Sequence, residues 1–152
     1  MKRKFTIVPA LLILVLTAGS LQAGTLAAST RQTFTTPITT SLNYLALDDS
    51  GATSLTFTTA STQTVVVSYS ADCQVATAGN AVGIIIYVDG VAAAGTGALS
   101  AGTRLCSSDF PSTNTRISFI TVGAGTHTVQ VTGQIIGTGT GNLKRTTTVV
   151  QN

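Results

Sequence analysis

The sequence contains no tryptophan, no glutamate and a single histidine, and aromatic residues make up only 5% of it. Without tryptophan it offers little aromatic surface on which a sugar ring could stack. Without glutamate, a glycosidase pair of carboxylates would require two of the five aspartates to meet. One histidine and two cysteines would need further ligands of the same kinds to hold zinc. These absences argue against glycoside hydrolysis, aromatic sugar binding and a zinc centre.

Charged residues are also scarce, at 9% of the chain, although the formal net charge is +3. Three of the eight cations, Lys2, Arg3 and Lys4, precede an apolar run. If they are removed with an export signal, five cations remain against five aspartates. The remaining cations are scattered, and only Lys144 and Arg145 are adjacent. We therefore expect neither nucleic acid nor an anionic membrane as a partner, and little repulsion between copies of the chain.

Residues 1–23 have the three-part layout of a secretory signal peptide. The basic start is followed by an apolar run over 5–18 and then by small residues, which offer a cleavage site after Ala23. The alternative is a retained membrane anchor, which would need roughly 20 apolar residues, more than this run provides. The segment therefore predicts a secreted protein, extracellular or at the cell surface, with no membrane span after cleavage. The periplasm is the other compartment that we consider.

Two cysteines, Cys73 and Cys106, fall in the predicted exported part. An even pair in an oxidising compartment is most simply one disulfide bond. The two cysteines are 33 positions apart, and on the chain-entropy model a disulfide that closes such a loop stabilises the folded state by about 3–4 kcal/mol. A catalytic thiol would need a nearby histidine and asparagine arrangement, which neither cysteine has in the sequence.

The sequence of the exported part predicts short strands separated by turns. Threonine, with 29 residues, is the commonest polar residue and favours strands over helices. Apolar and polar side chains alternate over 64–75, and Asp89-Gly90 between two apolar runs predicts a two-residue hairpin. No segment has convincing helical spacing of apolar residues. We predict an all-β fold, a two-sheet antiparallel β-sandwich of jelly-roll-like character with about eight strands.

The predicted chain organisation has three parts. Residues 1–23 form the signal peptide, and residues 41–152 form the β-sandwich domain. Residues 24–40 are threonine-rich, weakly patterned and contain Pro37, so we predict an extended N-terminal arm or linker there.

One predicted strand is apolar on both of its faces, at Ile84, Ile85, Ile86 and Tyr87. In a two-layer sandwich only one face of a strand is buried against the other sheet, so something must cover the second face. An oligomer interface or the segment 29–41 could cover it, and so could a hairpin or loop of the same chain. These four residues are our candidate interface.

A family resemblance rests on four segments: VVVSYSADC at 65–73, IYVDGV at 86–91, LCSS at 105–108 and GTHTVQV at 125–131. Together they resemble small secreted bacterial β-sandwich domains of jelly-roll type, similar to the complement globular head and tumour necrosis factor group. The resemblance covers roughly residues 41–150. It implies a binding or structural module, frequently trimeric, rather than an enzyme, and it supplies no catalytic residues.

Few residues could carry chemistry. His127 shares a strand face with Val129 and Val131, where a lone histidine is usually structural. Most of the aspartates fall in turns or at strand ends, where they bond their own backbone. Asp48 and Asp49 could contribute to a calcium site, but no calcium-binding loop motif accompanies them. We therefore predict no catalytic residue, no metal and no cofactor.

These observations lead to a non-enzymatic structural or binding module that acts by self-assembly or surface recognition. The expected partners are further copies of the chain, as a homo-oligomer or a fibre, or a ligand at the cell surface or outside the cell. The alternative is a subunit of an extracellular fibre or pilus, in which residues 29–41 add a strand to a neighbour. A third hypothesis is a secreted hydrolase, which would have to join His127 to an aspartate and a serine or threonine.

Overall fold

A computed structural model describes residues 24–33, 35–95, 104–107 and 109–152. The predicted signal peptide lies outside the described residues. The described part contains eleven strands and no helix, and so no apolar helix long enough to cross a membrane. The strands are β1 (Thr25–Arg31), β2 (Thr36–Ile38), β3 (Asn43–Tyr44), β4 (Leu55–Thr59), β5 (Gln63–Val75), β6 (Ala81–Val88), β7 (Val91–Ala92), β8 (Arg104–Cys106), β9 (Ser112–Val122), β10 (Gly125–Ile136) and β11 (Gly141–Gln151).

The strands form two antiparallel sheets with four positions in each. In sheet A, β1 and β2 lie in line along one side of β11, β5 lies on its other side, and β9 follows β5. In sheet B, β3 and β4 lie in line along β10, β6 lies on its other side, and β7 and β8 lie in line beyond β6. Eleven strands thus occupy the roughly eight positions expected of a jelly roll, because three positions are each divided into two strands.

The order of these positions identifies the topology. We number the eight positions in the order in which the chain passes through them. Across sheet A their order is then 1-8-3-6, and across sheet B it is 2-7-4-5. That order is the jelly roll, a long hairpin wrapped into two facing sheets. The prediction of an all-β, two-sheet, jelly-roll-like sandwich is confirmed.

The core lies between the sheets and follows the alternation predicted for β5. Alternate residues of β5 are at most 1% exposed and point into the core, namely Val65, Val67, Tyr69, Ala71, Cys73 and Val75. The residues between them are exposed or half-buried on the outer face of sheet A. Sheet B contributes Val82, Val129 and Val131 to the same core.

The segment 24–40 contains two strands of sheet A. Five residues of β1 pair with β11 in an unbroken register from Ala27 opposite Val150 to Arg31 opposite Thr146, and β2 pairs with the start of β11. This part of the predicted arm is therefore extended, and in this structure it lies beside β11 of its own chain.

The predicted disulfide is present between Cys73 of β5 and Cys106 of β8. The two Cα atoms are 6.1 Å apart, and the cysteines are separated by 33 positions in the chain. Because β5 belongs to sheet A and β8 to sheet B, the bond joins the two layers of the sandwich. Such a bond is consistent with an extracellular or periplasmic location.

Candidate functional site

The strand β9 forms one edge of sheet A. On one side, β9 pairs with β5 along its whole length, from Gln63 opposite Val122 to Cys73 opposite Ser112. On its other side, within the described residues, the pairing partner is Ala94, whose N–H donates to the carbonyl of Phe119 at 2.9 Å. A long edge strand presents unpaired N–H and C=O groups that can pair with another strand.

The outer face of β9 carries two of the large exposed apolar side chains of the protein. Ile117 is 51% exposed and Phe119 is 52% exposed. The half-buried side chain of Val66 stands opposite Phe119, on the neighbouring strand β5. We call the edge of β9 that faces away from β5, together with the outer face of the strand, the β9 surface. An apolar patch at a strand edge is typical of an interaction site.

The outer face of β9 has no charged residue, and charges on an edge strand are one of the features that oppose pairing. Its outward-facing residues are Thr113, Thr115, Ile117, Phe119 and Thr121, all uncharged. The one cation of the strand, Arg116, belongs to the inner face, and its guanidinium donates to the carbonyl of Gly95. The strand also contains no proline. The amino-acid pattern of this strand gives no sign that it is an edge.

The candidate interface on β6 divides between the two faces of the strand. Ile84 and Ile86 are fully buried in the core between the sheets. Ile85 and Tyr87 lie on the opposite face of β6, where Ile85 is 5% exposed and Tyr87 is half-buried. Most of Ile85 is therefore already covered within a single chain. An interface between copies at these residues stays a prediction.

His127 links three parts of the chain at one end of the sandwich. Its Nδ1 lies 2.7 Å from Oδ2 of Asp89, in the turn between β6 and β7. Its Nε2 lies 3.0 Å from the carbonyl of Gly123 and 3.2 Å from the hydroxyl of Thr59. The second oxygen of Asp89 accepts a hydrogen bond from the N–H of Thr128 at 2.8 Å.

These contacts favour a charged imidazolium. Nδ1 faces the carboxylate of Asp89, and Nε2 faces the carbonyl of Gly123. The hydroxyl of Thr59 donates to that same carbonyl, so towards Nε2 it too can act only as an acceptor. The hydrogen bond to Asp89 raises the pKa of His127 above its ordinary value, and the contact with Gly123 adds to the increase. The same hydrogen bond lowers the pKa of Asp89.

The structure therefore brings together a histidine, an aspartate and a threonine, as the hydrolase hypothesis requires. Two features of this arrangement differ from those of a catalytic triad. A general base needs a free ring lone pair directed at the nucleophile, and Nε2 is directed at the carbonyl of Gly123 instead. Thr59 is also only 3% exposed, so its hydroxyl lies almost out of contact with solvent.

Asp48 and Asp49 serve as turn residues in the structure. One oxygen of Asp48 accepts hydrogen bonds from Ser50 and from the N–H of Ala52. One oxygen of Asp49 accepts from the backbone N–H groups of residues 32 and 33 and from the hydroxyl of Thr33. These donors lower the pKa of both carboxyl groups. Among the described residues, no group of three or more potential metal ligands is present.

A cleft of about 240 Å³ lies beside the disulfide, where β5 and β11 pair. We call it the β5–β11 cleft. Its lining consists of Asp72, Cys73, Gln74, Pro111, Asn142, Lys144 and Arg145. Both carboxylate oxygens of Asp72 accept hydrogen bonds, Oδ1 from the hydroxyl of Thr113 and Oδ2 from the guanidinium of Arg145. The bond from Thr113, followed by Arg145, lowers the pKa of Asp72.

Arg145 has an unusual backbone conformation for its residue type. Its φ is 45°, in the left-handed region, at the bulge where Lys144 faces Asp72 but Thr147 faces Ser70. That conformation costs a residue with a Cβ about 1–2 kcal/mol, whereas glycine adopts it freely. The ion pair with Asp72 involves a guanidinium that is 69% exposed, and such pairs contribute about 0–1 kcal/mol. The ion pair therefore does not account for an arginine at this position.

No protein-family model and no curated protein matches the chain. Its structure is similar to that of a protein of infectious bursal disease virus, strain Gx, with 14% identity and a TM-score of 0.46. That match covers 86% of this chain and 32% of the viral chain. A second similar structure is CBM35 from Paenibacillus barcinonensis, with 18% identity, a TM-score of 0.34, and 84% and 97% of the two chains covered.

A third similar structure is dimeric latent PorU from Porphyromonas gingivalis, with 12% identity and a TM-score of 0.37. The match covers 90% of this chain and 14% of PorU. The present chain thus spans about a third of the viral protein and a smaller part of PorU. At these low similarities the matches carry no functional argument, and the jelly-roll assignment rests on strand order. The finer resemblance to the complement and tumour necrosis factor group stays a prediction.

Proposed function

We propose that the protein is an exported, non-enzymatic structural module that associates with further copies of itself through the β9 surface. The observation that carries the proposal is that an edge strand with an uncharged outer face, on which Ile117 and Phe119 are exposed, has one described pairing partner on the side away from β5. The balanced charge of the predicted mature chain supports it, because copies would repel one another little.

Among the described residues no strand pairs with β9 on the side away from β5 at Thr113, Thr115 or Ile117, so this part of the edge has the geometry to pair with itself. The carbonyl of Phe119 points to the open side, because it accepts from Ala94 there. Every second residue of a strand presents its N–H and C=O to the same side, so Thr113, Thr115 and Ile117 present theirs there too. Around a two-fold axis at Thr115, Thr113 of one copy faces Ile117 of the other, and their backbones form an antiparallel ladder.

Pairing of this kind predicts a dimer, because a contact between identical surfaces closes on itself. It joins two copies of sheet A into one continuous sheet and brings the outer faces of the two β9 strands together. In the alternative, a fibre built with residues 29–41, β1 and β2 would have to leave β11 of their own chain and pair with a neighbour. The open β9 edge therefore favours the closed assembly.

The test is the mass of the exported protein in sedimentation equilibrium over a series of concentrations. We expect the wild-type protein to be a dimer and Ile117→Lys to be a monomer, because a charge on the edge strand opposes pairing. Val91→Lys is the matched control, because Val91 is 60% exposed but lies on β7 in sheet B. This control should remain a dimer.

Three results would contradict the proposal. A wild-type monomer at every concentration would exclude self-association. Equal loss of the dimer in Ile117→Lys and Val91→Lys would exclude β9 as the interface. Open polymers that disappear when residues 24–40 are deleted would favour the fibre.

A further inference from the structure

We propose that the β5–β11 cleft binds a small molecule through a carboxylate or phosphate group held between Lys144 and the outer edge of Arg145. The cleft adjoins the β9 surface at Thr113, whose hydroxyl donates to Asp72, but none of the residues that line the cleft belongs to β9.

The charges of the cleft favour an anion. Lys144 and Arg145 both line it, and Asp72 is its one carboxylate. Asp72 neutralises part of this positive charge, but its two oxygens are engaged by Thr113 and Arg145. Arg145 uses Nε and Nη2 towards Asp72, so Nη1 is left to donate to a ligand. Guanidinium and ammonium groups together are well suited to a carboxylate or phosphate.

The backbone at Arg145 provides a second, independent observation. A glycine would occupy this bulge without strain, and an exposed ion pair contributes too little to explain an arginine. Strained residues persist where the surrounding structure fixes them, and they cluster at binding and catalytic sites. β-bulges also redirect side chains next to such sites. The guanidinium thus has a use that outweighs the strain, and binding an anion is such a use.

The size and the remaining lining define the kind of ligand. With about 240 Å³, the cleft is slightly smaller than the pockets of about 300–1,000 Å³ that hold drug-sized molecules. The amide nitrogen of Gln74 donates to the carbonyl of Asp109, which leaves its oxygen as an acceptor for a ligand hydroxyl. Asn142 adds an amide that can both donate and accept. A small, hydroxylated anion fits this set of groups.

Both cations also line a second cleft on the other side of β11's bulge. That cleft has a volume of about 290 Å³ and is lined by Gln32, Thr33, Thr35, Lys144 and Arg145. The two clefts therefore meet at Lys144 and Arg145. We assign the anion to the β5–β11 cleft, because the disulfide fixes that side.

The test uses inorganic phosphate and citrate as probes, titrated separately into ¹⁵N-labelled protein at constant ionic strength. In the wild-type protein we expect saturable changes in the amide signals of Asn142, Lys144 and Arg145. Arg145→Gly removes the guanidinium and also the backbone strain, so this variant should fold while its affinity falls about tenfold or more. Arg104→Gln, which removes an exposed cation from β8, is the control and should bind as the wild type does.

Binding of phosphate alone, of citrate alone or of both supports the proposal and identifies the preferred oxyanion. Changes that do not saturate, or that persist in Arg145→Gly, would overturn it. The mass measurement that tests self-association is a separate readout, so failure of one proposal leaves the other standing. A folded Arg145→Gly variant that is less stable than the wild type and a wild type that binds neither probe would together assign Arg145 a structural role only.

Discussion

The two ends of the sandwich are held together by different chemistry. At one end, which we call the disulfide end, a covalent bond joins Cys73 of sheet A to Cys106 of sheet B. At the other, the histidine end, hydrogen bonds from His127 connect the turns that contain Asp89 and Gly123. The first connection requires an oxidising environment and is independent of protonation. The second is strongest when the imidazole is charged and does not depend on oxidants.

The strained residue Arg145 and the β5–β11 cleft both lie at the disulfide end. Arg145 can keep a left-handed backbone only where the neighbouring structure fixes it. Cys73, which faces Leu143 in the β5–β11 ladder, is tied covalently to the other sheet next to this bulge. The histidine end has no covalent tie among the described residues, and there the positive φ values belong to a hairpin turn and to a glycine. A preorganised ligand site therefore belongs at the disulfide end.

Removing the disulfide should produce the largest effect. The variant Cys73→Ala/Cys106→Ala should lose about 3–4 kcal/mol of unfolding free energy, because its unfolded chain is no longer constrained by the loop. Urea unfolding, followed by far-ultraviolet circular dichroism, measures this loss. Reductant should lower the stability of the wild-type protein by a similar amount and leave the double variant unchanged. A loss below about 1 kcal/mol would mean that other contacts hold this end together.

The disulfide end also contains a turn-to-turn connection that can be tested separately. The side chain of Asn80, which is 9% exposed, donates to the carbonyl of Thr138 and accepts from its N–H. Asn80→Ala should therefore cost about 2 kcal/mol, because two hydrogen bonds are lost and the groups of Thr138 lose their partners. Asn43→Ala is the control, because Asn43 bonds locally to Ser41 at an exposed site. Equal stabilities of the two variants would show that Asn80 does not connect the turns.

The local sequence pattern predicted much of the fold. The period of two over 64–75 placed Val65 and Cys73 in the core, and both are there, because alternation along a strand dictates the face. The Asp89-Gly90 turn is also confirmed, with φ values of 50° and 78°, both positive as such hairpin turns require. The disulfide followed from cysteine number and compartment alone.

The candidate sites depend on contacts that a single sequence does not reveal. The sequence of β9 does not show which strands lie beside it, and only the order of strands makes β9 an edge. The partner of His127, Asp89, is 38 residues away and had been interpreted as a turn residue. Likewise, the bulge at Arg145 arises from the register of β11 against β5, which no local signal specifies.

The smallest expected effect concerns the histidine end and its dependence on pH. The folded state raises the pKa of His127 above its usual 6.5, mainly through Asp89. The stability that this contact contributes is therefore fully present below pH 6.5 and is lost as the pH rises through the higher pKa of the folded state. Asp89 behaves in the opposite way. Its pKa is lowered from 3.8, so its contribution is present above that pH and is lost as the pH falls through the lower pKa of the folded state.

The wild-type protein and His127→Gln should consequently differ most at mildly acidic pH and least at alkaline pH. Urea unfolding of both proteins between about pH 5 and 9 measures this difference, over the range in which histidine titrates. Glutamine retains hydrogen-bonding groups but cannot take up a charge, so it isolates the effect of protonation. Cys73→Ala/Cys106→Ala is the second comparison, and it should lose the same free energy at every pH in this range. A gap between wild type and His127→Gln that stays constant with pH would mean that the imidazole acts by packing against Phe57, whose ring centroid lies 5.2 Å away, rather than by charge.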